Sequence, residues 1–222
     1  MQPDRRFATL LGDIVGSRDS RDRLELQRRL REALSLTNDR VASVQPLTPT
    51  IGDEFQGLYA SPGPALEATL LIRLSLTGVT DVRFGVGWGA LLMHEAPSSP
   101  FGQDGPAWWA ARAAIDRVGR DQRSKERPRG VRTRFVEAEQ ASVSPAAPSA
   151  LVDAMILCRD ELVAQLRPRD ARLLLGLLAD RSPSDLAIEE GITQSAVSQR
   201  AIAKGLYALR EASCALRDVE WG

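Results

Sequence analysis

The sequence is poor in the residues that build metal and redox centres, with two cysteines and one histidine. Cys158 and Cys214 lie far apart, without CxxC spacing or a histidine beside them, so neither zinc nor haem is expected and both should be buried free thiols. Long apolar runs are missing as well. None approaches the ~18 residues of a membrane span, and Asp4, Arg5 and Arg6 stand where a signal peptide would begin its apolar stretch. A cytoplasmic chain without a membrane partner is the expectation. Charge of one sign is also absent, since 29 Lys and Arg balance 29 Asp and Glu. Any nucleic-acid contact must therefore rest on a local patch. What remains, at 222 residues with ordinary apolar and charged fractions, suits a medium domain followed by a small one.

The N-terminal part reads as β-α-β-β-α-β-α-β. Phe7 to Leu11 is a strand that runs into the turn Gly12-Asp13-Ile14-Val15-Gly16-Ser17-Arg18. Leu24, Leu30, Leu34 and Val41 keep helical spacing across 19–41. A hairpin carries Gly52-Asp53-Glu54-Phe55-Gln56-Gly57, and Pro64 to Leu76 is a second helix. The alternation in Val82-Arg83-Phe84-Gly85-Val86-Gly87-Trp88-Gly89 marks a half-buried strand whose glycines permit close backbone approach. Pro106 opens a third helix, and Thr133 to Val136 is a further strand. The class expected is α+β, a ferredoxin-like or palm-type sheet with helices on one face.

The C-terminal part reads as all-α. Helices are expected over 168–179, from the N-cap Ser182 to Glu190, and from Gln194 to Leu209, with Gly191-Ile192-Thr193 as the turn between the last two. This is the helix-turn-helix pattern, and it divides the chain into a sheet domain over 1–146 and a helical domain over 147–222. Leu151 to Leu166 is a strong helix that could serve either part. A recognition helix must be polar where it enters the major groove. Thr193, Gln194, Ser195, Ser198, Gln199, Arg200 and Lys204 supply that face, with Gln suited to adenine and Arg to guanine. A dimerisation unit is the plainer alternative.

Asp13 and Asp53 each follow a glycine at a strand end, so two neighbouring strands would bring both carboxylates to one edge. Oxygen ligands of that kind suit Mg²⁺ or Mn²⁺. Gly16 and Ser17 could offer backbone N–H groups to a phosphate and Arg18 a forked cation. An Asx-turn or cap is the plainer role for such an aspartate.

Four ordered blocks, Gly12 to Arg18, Gly52 to Gly57, Val82 to Gly87, and Asp104 to Ala107 with Ala111-Arg112, resemble the SatD family. More distantly they are similar to the catalytic domain of class III nucleotidyl cyclases. That resemblance implies a palm-like sheet in which Asp13 and Asp53 hold metal and Arg112 touches phosphate. Such cyclases place a catalytic asparagine four residues before the arginine, where this chain has Trp108. No Lys and Asp pair for reading adenine is evident either. The resulting expectation is a dimeric DNA-binding regulator whose sheet domain binds a nucleotide, with Mg²⁺ or Mn²⁺, at Gly16, Ser17, Arg18, Asp53 and Arg112, or mediates dimerisation. The alternative is a metal-dependent cyclase or transferase using Asp13 and Asp53.

Trp108 and Trp109 suit core packing or an interface, with Trp88 beside them, though one indole could stack on a base. The basic run from Arg117 to Arg134 is either a solvated loop or an arm that tracks phosphates. His94, in a strand-exit loop, is expected to be uninvolved.

Overall fold

The computed structural model describes residues 5–16, 23–50, 52–93, 103–138 and 147–221. The first half runs β1 (Arg6–Ile14), α1 (Arg23–Arg40), β2 (Gln45–Pro49), β3 (Glu54–Tyr59), α2 (Pro62–Ser75), β4 (Val82–Ala90), β5 (Leu92–Met93), β6 (Gln103–Asp104), α3 (Pro106–Arg123) and β7 (Thr133–Glu137). Among the described residues five helices follow: α4 (Ala147–Ala164), α5 (Pro168–Leu178), α6 (Pro183–Glu190), α7 (Gln194–Ala203) and α8 (Leu206–Arg217). The main sheet has the order β2-β3-β1-β4-β7, and β5 with β6 forms a separate two-stranded ribbon. All neighbours in the main sheet are antiparallel except β4 and β7, which are parallel.

Alternation along the strands sorts side chains onto two faces. Ala8, Leu10, Ile14, Phe55, Tyr59, Phe84 and Val86 turn to one face, where α1 and α2 close the main core with Leu30, Leu34, Leu66 and Leu71. Phe55 and Phe84 meet there edge to face, centroids 6.1 Å apart. The opposite face carries Thr9 and Leu11 and is covered by α3, through Ala111 and Ile115. Helices therefore lie on both faces, against the one-face arrangement expected. Glycine is the reason. A Cβ at Gly87 would lie 2.1 Å from the Ala107 carbonyl oxygen, and one at Gly85 would lie 2.2 Å from that of Ala111. The backbone of α3 rests directly on β4, and Thr9 Oγ1 donates to the Ala107 carbonyl at 2.8 Å.

Packing continues past residue 147. Val152 and Ile156 of α4 join the core on the α1–α2 side, as does Leu216 of α8. The indole of Trp221 packs on Phe135 at 5.6 Å and on Trp88 at 6.5 Å, so Trp88 sits apart from Trp108 and Trp109, on the other face. Buried charge ties α4 to the sheet. The Asp160 carboxylate, fully buried, accepts from the backbone N–H groups of Arg132 at 2.7 Å and Thr133 at 2.6 Å and pairs with Arg73 of α2 at 2.9 Å. Arg134 of β7, also buried, holds Asp121 of α3 at 2.6 Å and Asp153 of α4 at 2.9 Å.

The last helices share a second core with α2, built from Leu70, Leu74, Leu173, Leu174, Leu186, Val197, Leu206 and Leu209. Ser182 caps α6, Gly191 turns the chain at φ 63°, and Thr193 caps α7 through the Ala196 N–H. The single long helix expected from Gln194 is broken at Gly205, whose φ of 64° ends one helix and starts the next. Cys158 is exposed and Cys214 half-buried, so the expectation of two buried thiols fails. Among the described residues no helix is long and apolar enough to cross a membrane.

Candidate phosphate-binding cleft

Asp13 occupies the penultimate position of β1, and its register partners are Glu54 on β3 and Arg83 on β4. Directly opposed residues share a face, so all three project toward α3. There Arg112 closes over the row, its two Nη atoms each 3.2 Å from an oxygen of Glu54. Asp13 Oδ2 accepts from Arg83 Nη2. A cavity of about 410 Å³ opens beside these groups, continuing along α3 past Ile115, Asp116 and Gly119 to Arg120 and Arg123.

Burial pushes the Asp13 carboxyl above the usual carboxylate range; Arg83 opposes that rise, and the charges of Glu54 and Asp53 add to it. Hydrogen bonding to Glu54 holds the Arg112 guanidinium still more firmly protonated than usual. Asp53 lies in the β2–β3 turn and pairs with Arg23 of α1 at 3.7 Å. The carboxylate brought face to face with Asp13 is thus Glu54, one residue beyond the aspartate that the sequence pattern singles out. Arg83 was missed altogether; a lone charge alternating with apolar residues reads as solvent-facing.

Of the expected phosphate contacts, Gly16 is an exposed turn glycine at φ 71°, while Ser17 and Arg18 fall outside the described residues, as does His94. Trp108 packs against the cluster of Leu11, Ala111 and Ile115, and its buried Nε1 has no acceptor among the described residues. Trp109 is 58% exposed and donates to Asp104 at 2.7 Å.

Among the described residues no group of three or more His, Cys, Asp or Glu side chains is placed to hold a metal. Asp13, Glu54 and Asp53 each already face a guanidinium. Arginines outnumber carboxylates along the cavity wall, which favours an anion.

In the helical part, Thr193, Gln194, Ser195, Gln199 and Lys204 are exposed, and Ser198 is half-buried. Arg200 instead pairs with Asp170, which is fully buried at the start of α5. Across the basic run, Arg134 is an interior residue and Arg132 pairs with Asp81, so only part of the run faces solvent.

The chain matches the SatD family over residues 7–213, a span that takes in both the sheet and the helices. It belongs to the SatD family. No curated protein matches this SatD chain. Three solved structures are similar to part of it. A bacterial light-regulated adenylyl cyclase shares 15% identity at a TM-score of 0.42, over 54% of this chain and 72% of the other. An EAL/GGDEF domain protein from M. capsulatus shares 16% at 0.40, over 61% and 86%. A GGDEF domain from Pseudomonas aeruginosa shares 18% at 0.38, over 61% and 84%.

Proposed function

We propose that this SatD-family protein is a DNA-binding regulator whose sheet domain binds a nucleotide through its phosphates. The observation that carries the ligand half is the row of Asp13, Glu54 and Arg83 beneath Arg112, opening on a cavity whose wall is richer in arginine than in carboxylate. Guanidinium forks match phosphate oxygens in pairs. A divalent cation, Mg²⁺ or Mn²⁺, would arrive with the phosphates, and Asp13 and Asp53 are the carboxylates assigned to receive it. The sequence assigns Gly16, Ser17 and Arg18 to the phosphates as well.

The DNA half rests on α6, the left-handed turn at Gly191 and α7. We read these elements as a helix-turn-helix, with Gln194 and Ser195 exposed at the start of the second helix and Gln199 exposed in its middle. As a homodimer, two such helices would address half-sites about 34–36 Å apart. Mobility shift of genomic fragments by the full chain, with and without nucleotides, tests the reading. Salt-sensitive, sequence-selective binding that a nucleotide alters is the expected result, and its absence removes the proposal.

A second reading, a metal-dependent cyclase or transferase, draws on the register pairing of Asp13 with Glu54 and on the raised proton affinity of Asp13. Trp108 speaks against it, since an indole packed into the α3 face replaces the catalytic amide that the cyclase resemblance would require. Incubation with each nucleoside triphosphate and Mn²⁺, followed by loss of product in Asp13→Ala, would establish turnover.

A further inference from the structure

The far end of the cleft is lined by further cations. Arg120 and Arg123, on the last two turns of α3, are exposed, and neither has a hydrogen bond or ion pair among the described residues. Arg83 reaches toward them. Its Nη2 is engaged by Asp13, its Nε is buried without a partner, and its Nη1 lies 3.4 Å from where a Cβ on Gly119 would stand. Arg123 Nη1 lies 3.9 Å from the same point. Two like-charged guanidinium groups thus converge on a helix glycine.

Gly119 differs from the glycines of β4. No backbone atom approaches its side-chain position, so helix packing does not require it, although mid-helix glycine costs about 1 kcal/mol relative to alanine. What its missing side chain leaves is a gap between guanidiniums. From Arg112 to Arg123 the helix advances roughly 16 Å, at about 1.5 Å per residue. Arg112, Asp116, Gly119, Arg120 and Arg123 follow one stripe along that length.

We propose that this stripe is a second phosphate subsite, in which Arg83, Arg120 and Arg123 hold the distal part of a linear oligophosphate over Gly119 while Arg112 holds the proximal part. The inference rests on the reading of the cleft as a nucleotide site and assigns the direction in which the phosphate chain runs. A single phosphate or a carboxylate is too short to satisfy both ends of the stripe. The chemistry is that of a phosphoanhydride chain, whether it ends in a nucleoside or is inorganic.

The test is calorimetric titration of the full chain at fixed moderate salt, with inorganic tripolyphosphate in one arm and nucleoside triphosphates with Mg²⁺ in the other. Wild type is compared with Arg120→Ala/Arg123→Ala and with Lys125→Ala/Arg129→Ala, which removes equal charge outside the cleft. Melting temperature without ligand checks that each variant is folded. The subsite predicts tripolyphosphate binding by wild type, weakened about tenfold or more in the cleft variant, as expected for losing ~1.4 kcal/mol or more of charged contacts, and changed less than about twofold in the control. Equal losses in both variants would reduce the patch to diffuse charge and overturn the subsite. Nucleotide binding indifferent to Arg120 and Arg123 would overturn the subsite and leave the nucleotide reading standing. Tripolyphosphate binding that depends on the two arginines, with no nucleotide bound, would overturn the nucleotide reading alone. Binding of neither ligand by wild type overturns both.

Discussion

Asp13 of β1 and Arg83 of β4 are register partners and ion-paired, so the end of β1 presents a carboxylate already paired with a guanidinium of its neighbouring strand. A phosphate that draws Arg83 away would free Asp13, which couples ligand binding to the charge state of the strand end.

That carboxyl makes a pH prediction with a definite sign. Burial raises its proton affinity in the folded state above that of the unfolded chain. The native form then binds more protons than the unfolded form in the interval just above the ordinary carboxylate range, so stability contributed here falls as pH rises through it. Asp13→Asn should flatten that part of the profile. Glu67, also raised by burial, shares the direction but stays in both proteins, so the difference between their denaturation midpoints from about pH 4 to 7 isolates Asp13.

Two glycine substitutions should act in opposite directions. Gly87→Ala drives a methyl into the α3 backbone and should cost at least about 1–3 kcal/mol in urea denaturation. Gly119→Ala meets only the ends of two arginine side chains and should preserve stability or raise it by about 0.5–1 kcal/mol, while weakening oligophosphate binding.

Asp160→Ala should be among the most damaging single changes. It strands Arg73 and two backbone N–H groups in the interior, and breaking one side of a buried pair costs about 3–5 kcal/mol. A midpoint within about 1 kcal/mol of wild type would show that α4 is not clamped to the sheet through this carboxylate.

In the helical part, Gln194→Ala and Gln199→Ala should weaken DNA binding without moving the melting temperature, because both side chains are exposed. Arg200→Ala should lower stability as well, since it leaves the buried Asp170 carboxylate without its guanidinium. Mobility shift combined with thermal melts separates the two effects.

Much of this arrangement was legible from local pattern. An apolar run placed β1, a glycine-marked hairpin β3 and alternation β4, Pro106 and Pro183 marked helix starts, and Gly191 marked the turn before α7. What escaped was decided by pairing between strands. A shift of one residue at a hairpin changes which side chain shares a face, so Asp53 stood out by its glycine while Glu54 took the position opposite Asp13. The glycines of β4 announced close approach but not the helix that uses it. Arg134, Asp153, Arg159 and Asp160 look like solvent-facing charges in sequence and are buried in partnership with one another or with neighbouring elements.

A nucleotide held by its phosphates in the cleft should stabilise the folded chain. Thermal denaturation of the full chain with each nucleoside triphosphate and Mg²⁺ tests it most directly, because a ligand that binds only the folded state at about 100 times its Kd adds about 2.7 kcal/mol. At least one nucleotide should raise the melting temperature of wild type and fail to raise that of Arg112→Ala. No shift with any nucleotide, or an equal shift in the variant, would contradict the account.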